Sequence, residues 1–158
     1  MKFALRDYQP ADFDTLYAID QSCYPSEVAY SKRELRVYLR KPGAECLVAK
    51  AAHAIAGFCI SAYQDARGYI VTIDVLEQFR RTGIGSALLI EVERRLVANG
   101  VREVRLETAT DSQSAVAFWQ KHGYRSLGIR EKYYPGGRDA FAMSKNIPST
   151  RPKSSDLE

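Results

Sequence analysis

A chain of 158 residues with 46% apolar and 27% charged residues has the size and composition of one globular domain with a real core. No apolar run reaches the roughly 18 residues that cross a bilayer, and the N-terminus lacks a signal-peptide core, so a cytoplasmic protein without a membrane partner is expected. The net charge of +4 is mild and spread out: Lys32 to Lys41 hold five basic residues but alternate with Leu35, Val37 and Leu39, a solvated helix face and no nucleic-acid patch.

In chain order, Phe3 to Asp7 reads as a strand. Pro10 to Asp20 reads as a helix, with Pro10 in its first turn and Phe13, Leu16, Tyr17 and Ile19 as its apolar face. Cys23-Tyr-Pro-Ser26 breaks it. Ser31, with Glu34 three residues on, predicts the cap of a second helix that runs to about Leu39 and stops at Pro42-Gly43. Strands over Glu45 to Ala51, Ile55 to Ala62 and Tyr69 to Val75 form a meander, the first two joined near Ala52-His53-Ala54. A helix with Ile84, Leu88, Val92 and Leu96 on one stripe ends at Asn99-Gly100. Val101 to Thr108 is another strand. Asp111 or Ser112 caps a helix through Phe118, Trp119 and Lys121, and Gly123 ends it. Ser126 to Tyr134 and Asp139 to Ser144 close the chain as a hairpin around Pro135 to Arg138. The order β-α-α-β-β-β-α-β-α-β-β predicts a mixed-sheet α/β domain over residues 1–147, followed by a polar, disordered tail over 148–158.

The most informative stretch is Gln78-Phe-Arg-Arg-Thr-Gly-Ile-Gly-Ser86, set between a β-branched strand and an amphipathic helix. Gly83 and Gly85 allow a tight turn and close approach of a ligand. The first N–H groups of a helix lack intrahelical partners and carry partial positive charge, so this turn predicts an anion site suited to phosphate or pyrophosphate. It is no Walker A loop, having no Gly-Lys pair. It is no dinucleotide loop either, since Leu88 occupies the third glycine position and the turn lies mid-chain.

Arg80-x-x-Gly83-x-Gly85 resembles the acetyl-coenzyme A loop of the GNAT N-acetyltransferase superfamily, and the element order is that of the GNAT fold. Leu106-Glu107, Ser112, Ala115, Phe118-Trp119 and Gly123-Tyr124 match the family's next strand and helix. Ile129-Arg-Glu-Lys-Tyr-Tyr-Pro135 with Asp139-Ala140 is similar to the closing hairpin of the N-terminal protein acetyltransferases, nearest the ribosomal-protein-alanine (RimI-like) group.

The resemblance implies an acetyltransferase that moves an acetyl group from acetyl-coenzyme A directly to an amine. The amine is a protein or peptide N-terminus or, alternatively, a small molecule. A third reading is a coenzyme A-binding module with weak or no catalysis. The resemblance places the co-substrate on Ile73, Asp74, Val75, Arg80, Arg81, Thr82, Gly83, Ile84, Gly85, Ser86, Ser112, Phe118 and Trp119. It makes Glu107 the general base, with Tyr69 and Tyr134 in proton relay, and Tyr24, Tyr133 and Tyr134 against the acceptor. Glu107 also fits a half-exposed strand in which Glu103, Arg105 and Glu107 alternate with Val104 and Leu106.

Two positions depart from the family pattern. Trp119 stands where relatives often carry a general-acid tyrosine, and Ser112 where they commonly carry an asparagine. An indole N–H donates a hydrogen bond but does not give up a proton.

No metal is expected, because His53 and His122 lie far apart without ligand-like neighbours. Cys23, Cys46 and Cys59 show no Cys-x-x-Cys spacing and are expected to be reduced. A monomer or weak homodimer is expected.

Overall fold

The computed structural model describes residues 2–148, so the expected tail, Pro148 apart, lies outside the described residues. Seven strands form one sheet: β1 (Phe3–Asp7), β2 (Glu45–Ala51), β3 (Ala54–Gln64), β4 (Arg67–Val75), β5 (Glu103–Ala109), β6 (Arg125–Arg130) and β7 (Ala140–Asn146). Their spatial order is β1-β2-β3-β4-β5-β7-β6. Every pairing is antiparallel except β4 with β5. Four helices complete the domain: α1 (Phe13–Cys23), α2 (Lys32–Arg40), α3 (Ile84–Ala98) and α4 (Gln113–Lys121).

The sheet has a core on each face. One holds Leu88, Leu89, Val92 and Leu96 of α3 against Leu47, Cys59, Ile70, Val104 and Leu106, with Trp119 and Tyr124 closing its end. The other packs Leu16 and Ile19 of α1 and Leu35 of α2 on Val48, Phe58 and Ile60. The predicted stripe of α3 is the face that is buried, since residues three and four apart share one side of a helix. Strand β3 is buried on both faces, which is why it reads as a nearly unbroken apolar run.

Local signals behave as the sequence predicts where they are self-contained. Ser31 Oγ accepts from Glu34 N at 3.1 Å and Glu34 Oε1 accepts from Ser31 N at 3.0 Å, a complete capping box for α2. The β2–β3 turn uses left-handed Ala52 and His53.

Other boundaries move. The first helix opens as a 3-10 turn over Pro10–Asp12, because Asp12 is bound by Arg6 at 2.8 and 2.9 Å and by the Gln9 N–H at 2.8 Å. Ser112 stands at the start of α4, but its side chain makes no cap bond. Strand β6 stops at Arg130, four residues before the predicted end. Glu131 onward turns away through left-handed Lys132 and a 3-10 turn at Pro135–Gly137.

One irregularity creates the site. β4 and β5 pair only over Arg67↔Glu103, Gly68↔Val104 and Tyr69↔Arg105. Beyond Tyr69 the two strands part, while β3 keeps its grip on β4 as far as Val75 and β7 keeps its grip on β5 as far as Ala109. A wedge opens within the sheet.

Candidate active site

The wedge is a cleft of about 810 Å³. Its first wall is the freed edge of β4. Val71 is an extra residue in the β3–β4 register, which runs Ser61↔Ile70 and then Ile60↔Thr72, and past this bulge the C=O groups of Val71, Ile73 and Val75 turn toward the opening. The segment between α1 and α2 takes up the carbonyls. Tyr30 OH donates to Val71 O at 3.2 Å and Tyr24 OH to Ile73 O at 2.9 Å. Arg80 Nε donates to Val75 O at 3.0 Å, with the Cys23 thiol at 3.5 Å. Past the bulge, alternation turns the N–H groups of Ile73 and Val75 the same way, so this stretch of the edge offers donors.

The second wall is the glycine turn. Gly83 caps α3 in the left-handed region at φ +89°, and Arg81 before it is left-handed at +61°. The first α3 bond from this region runs from Ala87 N to Gly83 O. Among the described residues, no backbone N–H from Arg81 to Ser86 meets a protein acceptor. Six consecutive donors at the start of a fifteen-residue helix form a built anion cradle. A Cβ at Gly85 would lie 3.3 Å from Phe118 Cε1, so this glycine lets α4 approach the turn.

On the cleft wall stands Glu107, its side chain 10% exposed. Tyr69 OH donates to Glu107 Oε2, and Arg130 Nη1 donates to Oε1 at 2.6 Å. The Arg130 guanidinium also lies 5.4 Å from the centre of the Tyr133 ring. Burial, followed by the bond to Glu107, pushes the Tyr69 phenol far above its ordinary value. Tyr69 is therefore a donor and not a base. Burial likewise raises Tyr134 and Tyr24, which stay protonated.

Beyond Tyr30, Tyr133 and Tyr134 a second groove of about 450 Å³ opens, lined also by Tyr17, Tyr38 and Glu34. Arg138 pairs with Asp111 at 2.7 Å and approaches Glu27 at 3.9 Å, joining the final hairpin to the α1–α2 segment across this groove.

The fold thus brings together Tyr24, Tyr69, Ile73, Val75, Arg80, Arg81, Gly83, Gly85, Ser86, Glu107, Ser112, Phe118, Tyr133 and Tyr134 around the cleft. Thr82 belongs to the same turn, its hydroxyl donating to Phe79 O. Three of the expected residues lie deeper than the rest. The side chain of Ile84 is 1% exposed in the core, leaving only its N–H to the cradle. Asp74 borders the cleft but is 1% exposed, its carboxyl bonded by Thr72 at 2.6 Å and turned toward Asp20. Trp119 is 5% exposed and packs edge-on with Phe118 and Tyr124, each at 5.2 Å, so it serves the core more than the cleft.

Three arrangements carry no local sequence signal: Arg130 on Glu107, the paired carboxyls of Asp20 and Asp74, and Ser86 Oγ 2.9 Å from His122 Nε2. Asp20 Oδ1 and Asp74 Oδ2 are the buried side-chain oxygens without a donor among the described residues. Burial raises both groups, and a proton kept between them would satisfy both oxygens. No cluster of three or more metal-ligating side chains occurs among the described residues, and no described helix is long and apolar enough to cross a membrane.

A turn of unbonded N–H groups, a parted strand edge and a buried carboxylate on one cleft suit an extended anionic ligand held beside a base. Residues 13–124 match the acetyltransferase (GNAT) family, and the chain belongs to it. It is 25% identical to an N-alpha-acetyltransferase of Saccharolobus solfataricus over 92% of this chain and 93% of that one. Several curated relatives match over a shorter stretch, the chain spanning about half of their length. Among solved structures, Ard1 from Thermoplasma volcanium superposes with a TM-score of 0.87 at 25% identity, covering 94% of this chain and all of that one. The ribosomal-protein-S18-alanine N-acetyltransferase from Escherichia coli superposes with a TM-score of 0.84 at 22% identity over 97% of this chain and 98% of that one, a likeness of fold.

Proposed function

We propose that this protein transfers the acetyl group of acetyl-coenzyme A to the α-amine of a protein or peptide N-terminus. The carrying observation is the position of Glu107 on the cleft wall, bonded by Tyr69, in the cleft that shares Tyr30, Tyr133 and Tyr134 with the second groove. Names of relatives support the α-amine: the Saccharolobus solfataricus protein is an N-alpha-acetyltransferase.

The residues present fit the co-substrate. The free N–H groups from Arg81 to Ser86 would hold its pyrophosphate, with Arg80 and Arg81 adding charge. The N–H groups of Ile73 and Val75 would hold the pantetheine arm and its thioester oxygen. When bound, acetyl-coenzyme A supplies an acetyl group activated as a thioester.

The chain's own residues do the rest. An α-ammonium ordinarily loses its proton near pH 8, against about 10.4 for a lysine, so an α-amine is the easier nucleophile to release at neutral pH. Glu107 accepts that proton, directly or through one water, while Tyr69 holds the carboxylate in place. Donors already fixed on the β4 edge stabilise negative charge on the thioester oxygen without reorganising. Trp119 gives no acid. Tyr134, a protonated phenol on the cleft wall, can hydrogen-bond the departing sulfur. Tyr30, Tyr133 and Tyr134 form the entrance through which an extended peptide would reach Glu107.

The test incubates the protein with acetyl-coenzyme A and peptides bearing a free N-terminus, a blocked N-terminus with one lysine, or both amines. Mass spectrometry should find acetyl on the α-amine. Acetylation confined to lysine or to small amines would overturn the reading.

A further inference from the structure

Ser86 lies in the first turn of α3, in the glycine turn that faces the cleft. His122, the residue that follows α4, reaches Ser86 from behind the cleft lining, Nε2 lying 2.9 Å from Ser86 Oγ. The imidazole is half-buried, tilted on Phe118 at 4.7 Å between ring centres. Phe118 is also the residue that a Cβ at Gly85 would touch. The pair is therefore held from both sides and does not rest on a helix end alone. Nothing in an acetyl transfer at Glu107 requires a serine–histidine pair here.

The charges around His122 are mixed. Glu93 of α3 faces it, but that carboxylate is occupied by Lys145 Nζ at 2.8 Å and Tyr124 OH at 2.8 Å. Lys121 of α4 and Lys145 of β7 act against a second positive charge. Burial is the largest influence and holds the imidazole below its ordinary value. Without an anion nearby, a neutral His122 with its proton on Nδ1 would accept the Ser86 hydroxyl at Nε2. A diphosphate in the turn changes the balance, because an opposite charge within a few ångströms favours imidazolium.

We propose that His122 and Ser86 are a proton-linked clamp on the diphosphate of the co-substrate. As the diphosphate seats, His122 takes one proton from solvent. Its Nε2–H then donates to Ser86 Oγ, and the freed Ser86 O–H turns to a phosphate oxygen. No covalent bond is made or broken. His122 is a positioning residue acting through Ser86, and affinity for the nucleotide should rise as the pH falls. The inference rests on the glycine turn being the pyrophosphate site.

The probe is dephospho-coenzyme A, which lacks the 3′-phosphate and so adds no titrating phosphate monoester of its own. Titration calorimetry between about pH 5.5 and 8.5, in buffers of different ionisation enthalpy, measures affinity and protons taken up. The wild type should bind several-fold more weakly at the upper end and take up a fraction of a proton near neutrality. His122→Gln, which can donate to Ser86 but cannot titrate, should flatten the pH dependence and abolish the uptake. Ser86→Ala should lose most of the uptake with His122 intact. Gly85→Asp places a carboxylate in the cradle and should weaken binding at every pH by at least about tenfold. If Gly85→Asp binds as the wild type does, the turn is not the pyrophosphate site. If Gly85→Asp fails to bind but His122→Gln keeps the wild-type pH profile and proton uptake, the clamp alone is wrong.

Discussion

Arg130 on β6 reaches past β7 to place Nη1 2.6 Å from Oε1 of Glu107 on β5. Tyr69 OH binds the other oxygen of the same carboxylate from β4. The proposed base is therefore fixed by three strands, and the one exposed partner is Arg130, 56% open to solvent. An incoming ammonium can replace a solvent-exposed guanidinium at modest cost, because exposed ion pairs are weak.

Glu107→Gln keeps the size of the side chain and the Tyr69 contact but removes the base. Turnover at neutral pH should fall by about 10²-fold or more. Coenzyme A affinity should stay within about twofold, since the cradle lies elsewhere. Steady-state kinetics beside calorimetry checks this. Equal turnover of the two forms would leave Glu107 as an ordinary strand residue.

Asp20→Asn tests the shared proton. Both carboxyls are raised by burial, so the folded chain keeps protons that the unfolded chain releases above about pH 4. Their stabilising contribution is complete below that pH and is lost as pH rises through the folded-state titration. The amide oxygen of the introduced asparagine can still accept from Tyr30 N, as Asp20 Oδ2 does at 2.7 Å, and its NH₂ group gives Asp74 a permanent donor. The variant should melt higher than the wild type at pH 8 and lose less stability between pH 5 and 8, a difference of about 1–3 kcal/mol. Parallel melting-temperature curves against pH would remove the shared proton from the account.

Trp119→Tyr would restore the tyrosine common in the family, and the sequence alone suggests that turnover should rise. The buried, edge-on packing with Phe118 and Tyr124 gives the opposite expectation. Lost volume should cost about 1–3 kcal/mol by denaturant unfolding, with no gain in turnover. A faster variant would show that the new hydroxyl reaches the leaving group.

Tyr24→Phe leaves the Ile73 carbonyl without its donor. Stability should fall by about 1 kcal/mol in denaturant titration with the m-value unchanged. No change in midpoint would mean that water replaces the phenol without loss.

The element order was legible because each element carries its own periodicity, and the Ser31–Glu34 cap and the Gly83 turn are complete within a few residues. The glycine turn drew attention to the cradle, yet not to why Gly85 must be small: Phe118 lies 33 positions further on. The resemblance places Asp74 in the site together with Ile73 and Val75 of the same strand. Strand alternation sends its side chain to the other face, where Asp20 waits. Arg130 and His122 gave no signal, since their partners are 23 and 36 residues away and are joined only by sheet order and helix packing. The resemblance could carry over the positions that relatives share. It could not supply pairings made by residues outside the shared motif.

The phenols of Tyr30 and Tyr24 on the Val71 and Ile73 carbonyls have a consequence for self-association. A strand edge with donors and acceptors both free is a template on which another chain can zip itself into place. Here the acceptor half of that template is already spent, so an intruding strand would find only half a ladder. The parted sheet can remain open to an extended small molecule without inviting a neighbouring protein to close it.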